Sequence, residues 1–458
     1  MSASRDRLGR RARPADATAV DVRGAASRLV DEALASRAPV DGLLARAGTG
    51  LDERDRRLLA ELVYGTLRWL HRLDHVIAAA AERPLASIDP ALLAPLRVGA
   101  LQLVELDRVP AHAAVSQAVD EIRRRGSRGA AGFANAVLRR IARHPRWQEW
   151  PVELADPVAR LAIEGSHPAP LVERWWRRFG EARARSMVAA GNGSRALHLL
   201  AFADRGGRVA LAGALAEEGI ATRPSAVSPL GVVVESGQPL RSRAFARGDF
   251  YVQDEASQAA ALVPPPRAGE RVLDAAAAPG GKGLALLAAQ PETHVVFADP
   301  SLARLRRLDE NLARLARQSP RTVADAARPP WAPAFDRVVL DAPCTGTGTL
   351  RRHPELRWRF ALDELERLAA ASERMLRELV AALAPGGVLT FVTCSVEREE
   401  NEDVVARVLA AEPRLEPLPF GEVALPPGDQ VDLAAGSWRL LPGGGHDGFT
   451  VHAMRRRR

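Results

Sequence analysis

The chain has 458 residues, long enough for two to three domains with sizeable cores. Its 64 Lys and Arg against 56 Asp and Glu give a formal net charge of +8, which favours a nucleic acid partner but is explained equally well by solubility. No stretch approaches the roughly 18 to 20 apolar residues of a membrane helix, so no membrane association is expected. Two cysteines are too few for a disulfide framework, and they favour a reducing, cytoplasmic location.

The first residues are basic and lack the apolar core of a signal peptide. We predict a disordered basic tail over residues 1–18, with an Arg- and Ser-rich transit peptide as the alternative. Over residues 19–146 apolar residues recur at three- and four-residue spacing, which is typical of an all-α domain. The predicted helices are Val22–Ser36, Asp52–Leu70, Ala91–Leu106, His112–Arg125 and Gly132–Arg143.

Arginines gather on the later helices of this domain. An RNA-facing surface is the favoured interpretation, and a solvated helix face is the alternative. The arginines concerned are Arg123, Arg124, Arg125, Arg128, Arg139 and Arg140.

Residues 147–170 are irregular and rich in proline, and we predict a linker there. Residues 171–262 begin with a helix, Leu171–Ala190, and continue with alternating strands and helices, which predicts a small α+β module. The aromatic residues of its first helix are interpreted as core or domain-contact residues rather than as a base-stacking platform. They are Trp175, Trp176 and Phe179.

Residues 263–458 alternate between apolar strands and helices, which predicts a mainly parallel sheet covered on both faces. Strands are predicted over Arg271–Ala275, His294–Ala298, Thr322–Ala324, Asp336–Leu340, Gly387–Thr393 and Phe449–Met454. Helices are predicted over Gly281–Ala289, Ser301–Ala316, Leu362–Leu383 and Asn401–Ala410. Ligands bind beyond the carboxyl ends of such strands, and the informative residues all lie at those ends. They are Asp274, Asp299, Asp325, Asp341 and Cys394.

A turn of small residues at the first strand end lets backbone amides approach a ligand at a helix N-terminus. A phosphate loop would need Gly at Ala276 and Ser or Thr at Gly283, so an NTPase is excluded. Asp299 can accept ribose hydroxyls and Asp325 an adenine amine, although both can equally cap helices. The combination suggests an adenosyl ligand such as S-adenosylmethionine. The candidate cofactor-binding residues are Ala276, Ala277, Ala278, Pro279, Gly280, Gly281, Lys282 (the only lysine of the chain), Asp299, Asp325 and Asp341.

The only two cysteines, Cys344 and Cys394, lie in loops at strand ends beside this turn. A free cysteine is more often buried and inert, but two thiols in such positions favour reactivity. Methylation of carbon 5 of a pyrimidine requires a thiolate that adds to carbon 6, an acid that supports N3 and a base that removes the proton from carbon 5. Asp341 suits the N3 role, and on the residues alone its proximity favours Cys344 as nucleophile. Two cysteines in separate motifs, with no nearby His pair, predict no zinc site.

Six motifs carry a resemblance to known proteins. They are DAPCTGTGTLRRHPELRW (Asp341–Trp358), TCSVEREENE (Thr393–Glu402), AAPGGK (Ala277–Lys282), YVQDEASQ (Tyr251–Gln258), LVYGTLRW (Leu62–Trp69) and FANAVLRRI (Phe133–Ile141). The first four resemble the RsmB/Sun family of RNA cytosine-5 methyltransferases, and the last two resemble the NusB-like RNA-binding domain. The family usually has Cys at the position of Ala276.

The resemblance implies an α/β fold: a Rossmann-like class I methyltransferase domain over 263–458, an N-terminal all-α NusB-like domain and the small α+β module between them. It implies S-adenosylmethionine-dependent methylation of a cytosine carbon 5 in 16S rRNA by a cytoplasmic monomer. Cys394 is then the nucleophile, Cys344 assists product release, and Asp341 completes the catalytic set. The same chemistry on tRNA or another rRNA site, and a non-catalytic RNA-binding assembly factor, stay as alternatives. A DNA cytosine methyltransferase does not fit, because its nucleophile is expected in the Pro-Cys loop.

Overall fold

A computed structural model of the chain describes residues 21–126, 129–194, 196–421 and 424–458. The predicted tail over residues 1–18 and the predicted surface residue Arg128 lie outside the described residues. The chain divides into two compact units, one ending at Pro151 and the other beginning at Val152. In the described part of the chain, no helix is both long and apolar enough to span a bilayer.

The first unit is all-α, as predicted. Its helices are α1 (Val22–Ala35), α2 (Val40–Ala47), α3 (Glu53–Arg68), α4 (Leu70–Ala81), α5 (Pro90–Val104), α6 (Ala111–Arg124) and α7 (Ala130–Arg143). Aspartates set several of the helix starts: the Asp52 carboxylate accepts the amide of Asp55, and Asp89 accepts that of Ala91. Two helices, α2 and α4, are missing from the predicted set.

The second unit opens with helices and a small antiparallel sheet. The elements are α8 (Pro157–Glu164), α9 (Ala169–Asn192), β1 (Leu197–Ala201), α10 (Gly207–Ala216), β2 (Ala221–Pro224), β3 (Gly231–Ser236), α11 (Arg243–Ala246), β4 (Phe250–Val252) and α12 (Glu255–Ala261). The sheet order is β2-β3-β1-β4, which confirms an α+β module. The expectation of irregular chain over 147–170 is wrong for α8, because Leu161 and Ala162 pack into an apolar cluster with α9. The domain boundaries themselves stay a prediction.

A nine-stranded sheet follows. Its strands are β5 (Arg271–Asp274), β6 (His294–Asp299), β7 (Arg321–Val323), β8 (Phe335–Asp341), β9 (Leu383–Thr393), β10 (Leu415–Pro417), β11 (Gln430–Asp432), β12 (Ser437–Leu440) and β13 (Phe449–Arg456). The helices are α13 (Gly281–Ala289), α14 (Leu302–Arg314), α15 (Leu362–Leu379) and α16 (Glu402–Ala411). The order is β11-β12-β13-β9-β8-β5-β6-β7, with β10 paired to β13. Strands β5 to β9 are parallel, as predicted, whereas β13 runs antiparallel to β9. Strands β10 and β12 pair with β13, and β11 pairs with β12; the sequence did not predict these three strands.

Both faces of this sheet are covered, which explains why its strands lack apolar–polar alternation. Val339 points to the face packed by α12, α13 and α14, while its neighbours Val338 and Leu340 belong to the cluster built with α15 and α16. All three side chains are buried. The α/β class and the Rossmann-like arrangement predicted from the sequence are confirmed.

The register brings the carboxyl ends of the central strands to one edge. The amide of Ala342 donates to the Val392 carbonyl at 2.9 Å, and the amide of Ala275 donates to the Val339 carbonyl at 2.9 Å. The loops that follow β5, β8 and β9 therefore leave the sheet side by side, and their side chains can form one site.

Candidate active site

The two thiols meet at this edge. The sulfur of Cys344, in the loop after β8, lies 3.3 Å from the sulfur of Cys394, which follows β9. The loops are tied together further on, where the amide of Gly348 donates to the Cys394 carbonyl at 2.9 Å. Gly346 lies between the sulfur contact and this hydrogen bond. Its φ is +71°, and a Cβ there would lie 2.6 Å from Leu356, so this position favours glycine.

The surroundings of Cys344 disfavour its thiolate form. Its hydrogen bond with Cys394, followed by burial and the nearby charge of Glu400, raises the pKa of Cys344 well above its usual range. A protonated Cys344 can donate its S–H to the neighbouring sulfur. The two sulfurs therefore lie in contact, and the assignment of Cys394 as nucleophile stays a prediction.

The single lysine lies beside the thiols. The ammonium of Lys282, only 4 % exposed, donates to Asp341 Oδ2 at 2.9 Å and to Ser257 Oγ at 3.0 Å. It also lies 4.6 Å from the ring centroid of Phe449. A carboxylate, a hydroxyl and an aromatic face all contact the ammonium in this buried place, so Lys282 and Asp341 form an ion pair with a defined geometry at the site.

The small-residue turn between β5 and α13 is closely packed. Gly280 has φ of +113°, and a Cβ there would lie 2.6 Å from Leu308. Behind the turn, the buried Asp274 accepts the amide of Gly283 with one oxygen at 2.9 Å, while its other oxygen has no partner among the described residues. Burial, reinforced by the charge of Asp341, raises the pKa of Asp274 to about 7.

Asp299 and Asp325 lie where the sequence predicts them, at the ends of the next two strands. The carboxylate of Asp299 is buried and accepts the amides of Ala278 at 3.3 Å and Ser301 at 2.8 Å. It also pairs with Arg304 at 2.9 Å, whose side chain is half exposed. Asp325 follows β7, is exposed and accepts the amide of Ala327 at 2.9 Å. Both aspartates therefore accept backbone amides in turns. Asp299 can accept the two hydroxyls of a diol only if the Arg304 side chain moves away from its carboxylate.

The comparisons with known proteins agree with this arrangement. A family model described as 16S rRNA methyltransferase RsmB/F matches residues 261–455, and a NusB family model matches residues 17–143. Ribosomal RNA small subunit methyltransferase B of Pseudomonas putida is 35% identical over 433 residues, which cover 93% of this chain and 96% of that protein. The chain belongs to the RsmB family.

Two further comparisons extend this family assignment. A putative methyltransferase of Mycobacterium tuberculosis, Rv1407, is 38% identical over 81% of this chain and 82% of its own length. The crystal structure of PH0851 superposes with a TM-score of 0.75 and 25% identity, covering 94% of this chain and 99% of that one. The likeness therefore extends over almost the whole fold.

The RsmB-type site is braced by helix α9. Arg174 pairs with Glu397 at 2.8 Å and with Glu399 at 2.6 Å, and the indole of Trp175 donates to Glu397 at 3.1 Å. These acids lie in the segment that follows Cys394. Trp175 is buried, and the prediction that the aromatic residues of this helix are core residues is confirmed, with Trp176 and Phe179 packed against the same cluster.

A buried charge network behind the site escaped the sequence reasoning. Asp254 accepts hydrogen bonds from Arg351 at 3.1 Å and Arg352 at 2.7 Å, and both arginines also pair with Asp447. His198 lies 3.2 Å from the same aspartate. Asp254 and the two arginines fall inside the quoted motifs YVQDEASQ and DAPCTGTGTLRRHPELRW, so the motifs contained the signal, but nothing local pairs residues about a hundred positions apart.

The arginines of the first unit separate into two sets. Arg124 and Arg125 form ion pairs with Glu121, and Arg140 pairs with Glu82, so these predicted surface residues are engaged within the unit. Arg123 and Arg139 instead line a groove of about 810 Å³ between α6 and α7. Its other lining residues are Ala111, His112, Val115, Ser116, Val119, Asn135, Ala136, Ala142 and Arg143.

No group of three or more His, Cys, Asp or Glu side chains is arranged for a metal ion within the described ranges.

Proposed function

We propose that this protein is an S-adenosylmethionine-dependent methyltransferase that modifies carbon 5 of a cytosine in 16S rRNA. The observation that carries the proposal is the pair of thiols 3.3 Å apart, next to the Lys282–Asp341 ion pair at the same sheet edge. Addition–elimination on a pyrimidine ring needs a nucleophile, a proton acceptor and a group at N3, and these residue types supply all three.

In this proposal Cys394 is the nucleophile. Its thiolate forms a bond to carbon 6 of the cytosine, and electron density moves onto the ring, where Asp341 supports N3 beside the Lys282 ammonium. Carbon 5 then takes up the methyl group. Cys344, in its thiolate form, then accepts the carbon 5 proton. The electrons of that carbon–hydrogen bond restore the double bond between carbons 5 and 6, the sulfur–carbon bond breaks, and Cys394 leaves as thiolate. Cys344, whose pKa is raised in the resting site, assists this release once the first sulfur is alkylated.

The cofactor would lie against the turn from Ala276 to Lys282, with Asp299 and Asp325 facing it from the next two strands. The fit is supported by the close-packed turn at a helix N-terminus and by the buried oxygen of Asp274 that accepts no hydrogen bond from the residues that the structure describes. Arg304 would leave Asp299 when the ribose binds. When bound, the cofactor supplies an electrophilic methyl group. The residues of the turn bind and orient it, and the ion pair fixes the cytosine opposite.

The groove between α6 and α7 is the RNA contact that we propose for the first unit. Its lining brings together Arg123, Arg139, Arg143 and His112, and it includes no Asp or Glu among the described residues. Arg123 also pairs with Asp120 at 2.7 Å, at an exposed position where the pair is weak. A basic rim over an apolar floor suits a nucleic acid strand, whose phosphates meet the arginines while a base enters the groove.

Bisulfite mapping of rRNA and tRNA from a deletion strain tests the proposed function. We expect one 16S cytosine to lose its methyl group, and to regain it with the wild-type protein but not with Cys394→Ala. A methyl group lost from tRNA, with the 16S pattern intact, would contradict the proposed substrate. An unchanged pattern in all RNA would contradict the proposed reaction.

A further inference from the structure

Glu400 is a buried acid that the proposed reaction leaves without a role. It ends a short turn, Arg398–Glu400, between the Cys394 loop and α16, and only 2 % of its surface is exposed. One carboxylate oxygen accepts the amide of Thr345 at 2.7 Å, and the other accepts the hydroxyl of Thr345 at 2.6 Å.

The partner of Glu400 is the neighbour of one thiol. Thr345 directly follows Cys344 in the chain, and Glu400 itself lies in the segment after Cys394. One carboxyl group therefore ties the segment after Cys394 to the residue after Cys344. The loops are also joined at Gly348, whose amide donates to the Cys394 carbonyl at 2.9 Å, and at Thr347, whose hydroxyl accepts the amide of Val396 at 3.1 Å and lies 3.3 Å from the hydroxyl of Ser395. On the Cys344 side these ties lie three and four residues after the cysteine, whereas Glu400 binds the next residue.

The position of Cys344 depends on this contact, because its loop is otherwise poorly suited to hold a side chain in place. Gly346, two positions after Cys344, has a φ of +71°, and a glycine backbone is more flexible than that of any other residue. Hydrogen bonds to a carboxylate are about twice as strong as those between neutral groups. A buried acid is also costly: burial raises the pKa of Glu400 to about 7 against the effect of its own hydrogen bonds.

We propose that Glu400 is a positioning residue that holds the Cys344 and Cys394 thiols within reach of each other by tying the residue after Cys344 to the segment that follows Cys394. The inference rests on the proposed function, in which Cys344 helps to break the adduct on Cys394. Without Glu400 the Cys344 loop loses its tie next to the sulfur, while the nucleophile on β9 keeps the strand that carries it. Adduct formation should then persist and adduct release should slow.

The first test compares Glu400→Ala with Glu400→Gln. The amide of Gln can accept from the Thr345 backbone and donate to its hydroxyl, so it keeps the tie that Ala removes. With a 16S rRNA fragment and S-adenosylmethionine, we expect Glu400→Ala to increase the covalent protein–RNA adduct on a denaturing gel about tenfold, in line with the loss of one or two hydrogen bonds. Glu400→Gln should release RNA like the wild type. Release by Glu400→Ala at the wild-type rate would overturn the proposal.

A double variant separates positioning from a general loss of structure. Because Glu400 is proposed to act through Cys344, Glu400→Ala should add nothing to the adduct that Cys344→Ala already accumulates. An additive effect would show that Glu400 acts by another route and would overturn the assignment. If Glu400→Ala does not fold, Thr345→Val replaces it, since it removes only the hydroxyl contact; that variant should give a smaller increase in adduct, and none would count against the proposal.

The second test needs neither RNA nor cofactor. The thiol oxidant diamide should couple Cys344 to Cys394 in the wild-type protein, because their sulfur atoms lie 3.3 Å apart, with a loss of two hydrogens in the intact mass. We expect Glu400→Ala to form this disulfide about tenfold more slowly, with Glu400→Gln as the matched control. Equal rates would overturn the proposal. A wild-type protein that crosslinks but methylates no RNA would instead contradict the proposed function, and the crosslinking rates would still decide the role of Glu400.

Discussion

At the scale of single residues, the site separates two chemically identical thiols by their surroundings. Cys344 is placed so that its neighbour and burial both raise its pKa, and it can donate a proton toward Cys394. A thiolate is stabilised by such a donor, and a thiolate is the nucleophilic form of cysteine. The difference between the two sulfurs is therefore a property of the pair and not of either residue type.

Alanine variants of the two cysteines should fail at different steps. We expect Cys394→Ala to abolish turnover and any covalent RNA adduct, because no sulfur then attacks carbon 6. Cys344→Ala should form the adduct and retain it, visible as an RNA-linked band on a denaturing gel. The control is the double variant, which should show no band. Full activity of Cys394→Ala, or clean release by Cys344→Ala, would contradict the respective role.

The lone lysine allows a conservative test. Lys282→Arg keeps the positive charge, but a planar guanidinium cannot occupy a buried place shaped by Asp341, Ser257 and Phe449. We expect kcat/KM to fall by at least about tenfold, equivalent to about 1.4 kcal/mol. Methyl transfer to the RNA fragment and cofactor binding by calorimetry are the measurements. If both are unchanged, the lysine is an accident of composition.

At the scale of elements, strand β5 ends in Asp274, a buried acid whose pKa is raised. Burial, and then the charge of Asp341, raise the pKa of Asp274 from 3.8 to about 7 in the folded protein. The folded state therefore binds this proton more tightly than the unfolded state. Its contribution to the free energy of unfolding is complete below pH 3.8 and is lost as the pH rises to about 7.

Replacement of this acid should flatten the pH dependence of stability. Asp274→Asn keeps an oxygen for the amide of Gly283 and removes the titration, which is worth a few kcal/mol on the order-of-magnitude scale of about 1.4 kcal/mol per pKa unit. Denaturant unfolding between pH 4 and 8 measures the effect. Asp336→Asn is the control: Arg271 lowers the pKa of Asp336, so this carboxyl titrates below the measured range and its replacement should leave the pH dependence unchanged. If the free energy of unfolding of Asp274→Asn falls with pH as steeply as that of the wild type, the role of Asp274 is refuted.

Helix α9 shows how an element distant in sequence fixes the site. Its arginines and Trp175 bind the acids after Cys394, more than two hundred residues later in the chain. The helix is interrupted at Gly180, where φ is +79°. An element that the sequence indicates only as a helix with aromatic residues thus supports the loop of the proposed nucleophile.

At the scale of the whole molecule, a catalytic unit is combined with a basic helical unit. Binding of RNA through phosphates depends on salt, and each arginine that meets a phosphate contributes to affinity through counterion release. The groove between α6 and α7 collects such residues, while the arginines paired with Glu121 and Glu82 are committed to holding helices.

Charge reversal in the groove tests this division. We expect Arg139→Glu and Arg143→Glu each to weaken binding of a 16S rRNA fragment by about tenfold at roughly physiological salt, and to reduce the dependence of affinity on salt. Arg54→Glu is the matched control, since it makes the same charge change on α3 at an exposed position outside the groove. Fluorescence anisotropy across a salt series measures both quantities. Equal losses in all three variants would mean that net charge, rather than the groove, determines binding.

The sequence by itself determined what is encoded locally. Strand segments without apolar–polar alternation, separated by helices, predicted the parallel sheet, because a strand that is buried on both faces needs apolar side chains on both. Strand-end acids, the small-residue turn and the two thiols could be assigned to one edge, because parallel strands share it. The short antiparallel strands β10, β11 and β12 and the helices α2 and α4 were missed, since short segments carry weak periodicity and are stabilised mainly by packing.

Only the tertiary structure decided which side chains are partners. Lys282 meets Asp341 across 59 positions, and Glu400 meets Thr345 across 55, through the register of neighbouring strands and the course of the loops. The same packing leaves Arg139 in a groove and commits Arg140 to Glu82. It also raises the pKa of Cys344, because a pKa depends on burial and on neighbouring charges, and these exist only once the chain has folded.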